Sequence, residues 1–98
     1  MSNGQPDKEV TITLNGSGLP VPSIDPVEVK KDNQKVRWCA DFPFTIRFDG
    51  GAGTFPSKPN GSGCANRAQS GTFSEVKKYK YTILANGQEN DPDVDVKP

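Results

Sequence analysis

Residues 78–98, KYKYTILANGQENDPDVDVKP, contain two stretches of alternating apolar and polar side chains on either side of a turn signal. Alternation with a period of two residues is typical of a β-strand that buries one of its faces. The dipeptide Asn86-Gly87 between the two stretches favours a tight turn. The inward-facing positions that this pattern predicts are Tyr79, Tyr81, Ile83, Val94 and Val96. The end of the chain is therefore predicted to form paired strands.

The same period recurs in three segments further upstream. Residues 9–16 predict one strand, residues 26–40 predict a β-hairpin that turns at residues 31–34, and residues 42–50 predict another strand. The inward-facing positions are Val10, Ile12, Leu14, Val27, Val29, Val36, Trp38, Ala40, Phe44, Ile46 and Phe48. No segment keeps apolar residues at helical spacing for the 11 or more residues that a helix needs. The chain is predicted to be all-β.

Between these strands, residues 50–71 are rich in Gly, Pro, Ser and Asn and contain almost no aliphatic side chain. Such a stretch buries too little apolar surface to offset the entropy of ordering it as a strand. We expect one long loop over about residues 50–71. Loops of this length in a compact domain are usually functional, mobile or held covalently.

The length of 98 residues fits a single domain. We expect residues 1–8 to be a flexible N-terminus and residues 9–98 to be one β-sandwich. About seven short strands with no internal repeat predict two antiparallel sheets packed face to face, with Greek-key connections.

The balance of positive and negative charges argues against nucleic acid and anionic membranes as partners. Lys and Arg number 12 and Asp and Glu number 12, so no net field attracts nucleic acid or an anionic membrane. No apolar run reaches the roughly 18 residues of a membrane helix, and the first residues carry no signal-peptide pattern. We expect a cytoplasmic protein by default, without nucleic-acid or membrane partners. The oligomeric state is not predicted.

Three of these segments also suggest a family. PVEVKKDNQKVRW at residues 26–38, FPFTIRF at residues 42–48 and the ending at residues 78–98 resemble a small cupredoxin-like domain, the alternative being an immunoglobulin-like one. In cupredoxin-like domains a strand that ends in a tryptophan leads into the segment with the first copper ligand. The ending is similar to that of small uncharacterised bacterial proteins of this fold.

The sequence departs from this family in its copper ligands. A blue-copper site needs two imidazoles, a thiolate and usually an axial methionine. This chain has no histidine, its only methionine is Met1, and neither Cys39 nor Cys64 lies in a Cys-x-x-His context. The resemblance therefore implies a fold without copper electron transfer, and we expect no cofactor.

The two cysteines flank or lie within the expected long loop. A bridge between Cys39 and Cys64 would close a loop of about 25 residues and contribute roughly 3 kcal/mol in the chain-entropy model. Because no signal peptide is visible, the compartment favours reduced thiols. Both alternatives, a disulfide and two free thiols, stay open at this point.

The acidic ending has a metal-binding and a structural interpretation. Asp91 and Asp93 are weak candidates for a cation site, since DPDVD imitates the first half of a calcium loop. The sharp-turn glycine and the later bidentate glutamate of such a loop are missing. With Asp95, the two residues more simply form the water-facing row of a strand, and we favour that interpretation.

No catalytic constellation is present, since the carboxylates lack a histidine, a serine motif or a metal-ligand set. We expect a metal-free binding or structural module, not an enzyme, which contacts a protein partner through the long loop. The candidate contact residues are Phe55, Arg67 and Phe73. For Phe55, packing in a satellite core is an equally weighted alternative. The alternative function is a small-molecule or weak cation-binding domain.

Overall fold

The computed structural model describes residues 7–51, 53–59 and 63–98, which form eleven β-strands and one short 3-10 turn, Asp49–Gly51. The strands are β1 Lys8–Leu14, β2 Pro20–Pro22, β3 Val27–Lys30, β4 Val36–Ala40, β5 Thr45–Phe48, β6 Thr54–Pro56, β7 Lys58–Pro59, β8 Asn66–Gln69, β9 Lys78–Ala85, β10 Gln88–Asn90 and β11 Asp93–Lys97. β1 begins inside the expected N-terminal tail of residues 1–8. Residues 1–6 lie outside the described residues. No helix long and apolar enough to cross a membrane occurs in the described ranges.

The strands form two sheets that pack face to face, which confirms the predicted all-β two-sheet sandwich. The first sheet has the order β2-β1-β4-β8-β7, and the second has the order β3-β11-β9-β5-β6, with β10 also paired to β9. Both sheets are mixed, because β1 pairs with β4 in parallel and β11 pairs with β3 in parallel. The expectation of purely antiparallel pairing does not hold for these two pairs. The chain crosses to the second sheet for β3 before it returns as β4, so β4 runs in the same direction as β1.

The predicted hairpin at residues 26–40 is wrong, although its inward-facing positions are right. β3 belongs to the second sheet and β4 to the first, so Val27 and Val36 are buried in opposite layers of the sandwich. The side-chain carbonyl of Gln34 accepts a hydrogen bond of 2.8 Å from the backbone N–H of Lys30 within this connection. Alternation shows which face of a strand is buried, but it does not show which sheet the strand joins.

The expectation that residues 50–71 form one long loop is also wrong. β6 pairs with β5, β7 pairs with β8, and β8 lies between β4 and β7 in the first sheet. Neighbouring strands supply the backbone hydrogen bonds, so the segment needs few apolar side chains of its own. Ala68 and Phe55 provide its main inward contacts. Residues 52 and 60–62 of this stretch lie outside the described residues.

The core lies between the sheets and is dominated by aromatic rings. Trp38 and Tyr81 are fully buried with ring centroids 5.4 Å apart, and Phe48 lies 6.1 Å from Trp38 and 5.4 Å from Tyr81. Every other inward position predicted from alternation is buried or half-buried except Leu14. That side chain is 40 % exposed at the end of β1, where its residue pairs with Pro20 of the edge strand β2.

The chain passes from one sheet to the other along both open sides of the sandwich. On one side, the turn at residues 23–26 carries it from β2 to β3 and includes the cis peptide Asp25-Pro26. On the other side, Ser57 alone separates β6 in the second sheet from β7 in the first. The Ser57 backbone N–H donates to the Phe44 carbonyl at 2.8 Å, and its Oγ accepts from the Phe44 N–H at 2.9 Å. This crossing places residues 54–56 and 58–59 around one groove at the edge of the sandwich.

Candidate functional site

An open groove of about 550 Å³ lies where the edge strand β6 diverges from β7 and β8. The residues that line this edge groove include Phe55, Pro56, Lys58, Pro59, Arg67 and Gln69. Because Ser57 directs the chain from one sheet to the other, residues on both sides of that serine line the groove. The groove thus combines apolar walls with two cations.

Phe55 is half-buried and contributes to the core and to the groove. Its ring meets Phe48 edge to face, with centroids 6.0 Å apart and planes at 87°. Gly53 packs against the same ring, since a Cβ at Gly53 would lie 2.9 Å from the Phe55 Cζ. Gly53 also has a φ of +124°, which L-residues rarely adopt. The absence of a side chain at Gly53 therefore allows the backbone to approach the ring. Its packing against the core agrees with the satellite-core alternative for Phe55, and its role as a partner contact stays a prediction.

A second groove of about 380 Å³ lies on the other side of Phe55 and includes Phe73 and Tyr79. Phe73 is buried, and its ring centroid lies 5.0 Å from Tyr79 and 5.7 Å from Phe48. Phe73 is thus mainly a core residue. The structure places the three expected contact residues around one point, because Phe55 lines both grooves while Arg67 lines the first and Phe73 the second.

The positive charge near the edge groove comes from neighbouring strands of the first sheet. Arg67 on β8 is opposite Lys58 on β7 and opposite Cys39 on β4. Arg37 on β4 is opposite Gln69, which also lines the groove. The sequence pattern missed Lys58 and Arg37. Alternation around the buried Trp38 would have placed Arg37 on the outer face, but not beside Arg67.

Both of these arginines are half-buried, and the Nε atom of each is buried without a hydrogen-bond partner among the described residues. Four ion pairs occur in the described part of the chain, and all four use a lysine. An arginine guanidinium stays charged and offers donors in a fork that matches a carboxylate or phosphate. These two guanidinium groups therefore retain capacity to bind an anion.

The structure contains a disulfide between Cys39 and Cys64, which supports the first of the two alternatives for these cysteines. The Cα atoms are 5.8 Å apart, and the two residues are 25 positions apart in the chain. Cys39 faces outward from β4, next to Arg67, and Cys64 lies two positions before the first residue of β8. The bridge thus fixes the start of β8, the strand that brings Arg67 to the groove.

The acidic residues of the ending interact with neighbours in the second sheet. Asp91 accepts a hydrogen bond of 2.8 Å from the hydroxyl of the buried Thr82, and Asp93 lies 3.4 Å from the Lys80 ammonium. Asp95 lies 3.1 Å from the ammonium of Lys97, and its hydrogen bond and charge raise the pKa of that lysine. No group of three or more His, Cys, Asp or Glu side chains is arranged to hold a metal ion within the described ranges.

One further titratable group lies in the core. Burial raises the pKa of the Tyr81 phenol above its ordinary value, and the neighbouring Trp38 indole opposes this shift only in part. The phenol oxygen and the indole nitrogen are both buried, and neither has a hydrogen-bond partner of normal geometry among the described residues. Tyr81 is thus held neutral in the core, and it is not among the residues that line the edge groove.

A row of amide side chains joins the β9–β10 hairpin to the other sheet. The Nδ2 atoms of Asn86 and Asn90 and the Nε2 atom of Gln88 donate hydrogen bonds of 2.9–3.1 Å to backbone carbonyls of residues 17–20. The alternating pattern Asn86-x-Gln88-x-Asn90 in the sequence was a signal for this contact that strand prediction alone did not use.

Comparison of the chain with protein-family models, curated proteins and solved structures finds no significant match. The chemistry of the residues themselves therefore carries the functional proposal.

Proposed function

We propose that this protein is a metal-free binding module that recognises a segment of a protein partner in the edge groove. The observation that carries the proposal is the position of Phe55, a half-exposed ring on a fixed support, between apolar walls and the cations Lys58 and Arg67. Rigid aromatic residues with a nearby arginine are the usual anchors of protein interfaces. The resemblance to cupredoxin-like domains is compatible with this role, since the chain lacks the histidines of a copper site.

The partner segment would be held mainly by side-chain contacts. Strand addition to an exposed sheet edge requires a row of free backbone donors and acceptors. β6 ends in Pro56 and β7 ends in Pro59, and a proline has no N–H to donate. The groove offers instead a ring, two proline faces and two cationic side chains.

A selection from a random peptide library displayed on phage tests this role, with the full chain as bait and an unrelated β-sandwich as the counter-selection. We expect enriched peptides whose affinity for Phe55→Ala and Lys58→Ser falls about 10-fold or more, as expected when an interface anchor is lost. Lys58 is exposed and lies outside the core, so its variant keeps the test valid if Phe55→Ala folds poorly.

The matched control is Lys78→Ser, because Lys78 is an exposed lysine on the outer face of the second sheet. Its variant should bind the selected peptides as the natural chain does. The proposal is wrong if no peptide is enriched over the counter-selection, or if the Lys58 and Lys78 variants lose affinity equally.

A further inference from the structure

We infer that the segment bound in the edge groove is acidic, and that one of its carboxylates seats against Arg67 and Arg37 on the outer face of the first sheet. This inference rests on the proposed function and names the chemistry of its ligand. The carrying observation is that the two arginines lie on adjacent strands of one sheet face and that neither forms an ion pair in the described part of the chain.

The two arginines are near neighbours in the strand register. Arg37 is opposite Gln69 and Arg67 is opposite Cys39, so the arginines occupy diagonal positions on the adjacent strands β4 and β8. Diagonal residues on one face of an antiparallel pair are roughly 7–8 Å apart, within reach for long side chains. Alternation with the buried Trp38 and Ala68 places both arginines on the outer face. A single carboxylate can thus accept hydrogen bonds from both.

The acid that the strand register places opposite Arg37 forms no ion pair with it in the described part of the chain. Glu9 on β1 is opposite Arg37 in the parallel register, but it forms none of the four ion pairs of the described residues. Lys58 adds a third cation opposite Arg67. The outer face of the first sheet therefore has a local positive charge, although the whole chain has a formal net charge of zero.

The size and composition of this site favour a peptide over a long polyanion. Three cations bind few phosphates, and a zero net charge gives no long-range attraction for nucleic acid. The groove beside the cations is walled by Phe55, Pro56 and Pro59, which suit an apolar side chain of the same segment. A peptide with an aspartate or glutamate close to an apolar residue can contact the cations with its carboxylate and the groove walls with its apolar side chain.

The test uses peptides selected on the full chain and measures their affinity for three matched arginine variants. We expect the selected peptides to be enriched in Asp and Glu. Affinity should fall about 10- to 100-fold for Arg67→Gln and for Arg37→Gln, as expected for loss of a hydrogen bond between charged groups. The control Arg47→Gln should change affinity less than about twofold. Arg47 is exposed on β5 of the second sheet and also lacks an ion pair within the described ranges.

The peptide side gives a second readout. Replacing the acidic residue of a selected peptide with its amide should weaken binding to the natural chain, but should have less than a twofold further effect on Arg67→Gln, because the two changes remove the same interaction. The affinity should also fall between low and physiological salt. The weaker binding of the amide peptide to the natural chain and the salt dependence are both measured without a substitution in the protein. A folding defect of an arginine variant therefore cannot produce them.

Two results would overturn this inference, and the first of them leaves the proposed function standing. One is a set of groove-binding peptides without acidic residues, whose affinity is unchanged by Arg67→Gln. The other is a 20-nucleotide single-stranded DNA that binds more tightly than the acidic peptides and loses affinity with the same variants, which would make the face a phosphate site. If no peptide binds the natural chain, the proposed function and this inference both fail.

Discussion

At the scale of single residues, Gly53 controls the shape of the candidate site. A side chain at this position would meet the Phe55 ring, and the backbone has a φ of +124°. We expect Gly53→Ala to lower the free energy of unfolding by roughly 1–3 kcal/mol, the usual cost of a non-glycine residue in such a conformation. It should also displace the ring and shift its NMR signals.

The control for this prediction is Gly50→Ala. Gly50 also has a positive φ, +73°, but a Cβ there would meet no atom within 4 Å. Its variant should be destabilised without a change in the Phe55 ring signals. Identical ring signals in the natural chain and Gly53→Ala would show that the glycine does not position the ring.

Tyr81 gives a prediction about pH. Burial raises the pKa of its phenol above the ordinary value of 10.0. Above that pH the unfolded chain releases the proton while the folded chain keeps it, so the free energy of unfolding falls as pH rises. The slope contributed by this group is up to about 1.4 kcal/mol per pH unit. Urea unfolding between pH 8 and about pH 11 should show a shallower fall for Tyr81→Phe than for the natural chain. Parallel curves for the two proteins would contradict this account of Tyr81.

Much of the residue-level pattern could be predicted from the sequence, because strand alternation directly reports which side chains are buried. Trp38, Tyr81 and Val94 face the core as alternation indicates. Leu14 was missed because it lies at a strand end, where its pairing with the edge strand leaves it accessible. Arg37 was missed as a site residue because its neighbour Arg67 is 30 positions away in the chain, and alternation carries no information about which strands pair.

At the scale of elements, the disulfide fixes the strand that forms one wall of the groove. We expect the double variant Cys39→Ala/Cys64→Ala to lose about 3 kcal/mol of unfolding free energy, from the entropy that the natural cross-link removes from the unfolded chain. Urea unfolding of this variant and of the natural chain with and without a thiol reductant checks the value. The reduced natural chain should match the variant. A difference below about 1 kcal/mol between oxidised and reduced chains would contradict a role in stability.

The amide row on β10 gives a second prediction at this scale. Asn90 donates a hydrogen bond of 2.9 Å to the Pro20 carbonyl and accepts one of 3.0 Å from the Asp91 N–H. Its replacement by alanine should cost about 1 kcal/mol or more, since the carbonyl of the partly buried pair loses its partner. The neighbouring Glu89 is exposed, and Glu89→Ala should stay within about 0.5 kcal/mol of the natural chain. The free energy of unfolding of both variants is measured by urea unfolding. Equal effects of the two substitutions would show that the hydrogen bond from Asn90 to Pro20 does not contribute to stability.

Pairing between elements was harder to predict than the elements themselves. Residues 26–40 have the pattern of a hairpin, but β3 and β4 each find another partner strand in separate sheets. β8 has only Ala68 as a buried apolar side chain, and it is ordered by its hydrogen bonds to β4 and by the bridge at Cys64. Neither source of order leaves a periodic trace in the sequence.

At the scale of the whole molecule, the two outer faces of the sandwich differ in their electrostatics. On the second sheet, Lys80 pairs with Asp93 and Lys97 pairs with Asp95, so charges of opposite sign neutralise one another. On the first sheet, Arg37 and Arg67 form no ion pair among the described residues. Arg47 on the second sheet also lacks an ion pair among the described residues, so the feature that distinguishes the first sheet is the pair of arginines on adjacent strands.

The most direct test of this account is an NMR titration of the isotope-labelled full chain with a peptide selected on it. We expect shifts of the backbone amide signals to concentrate at residues 53–59 and 66–69, with the Arg37 and Arg67 side-chain signals also affected. Signals of β11 and of residues 78–80, on the other sheet, should stay in place. Shifts concentrated on those residues, with the edge groove unaffected, would contradict the assignment of the binding surface.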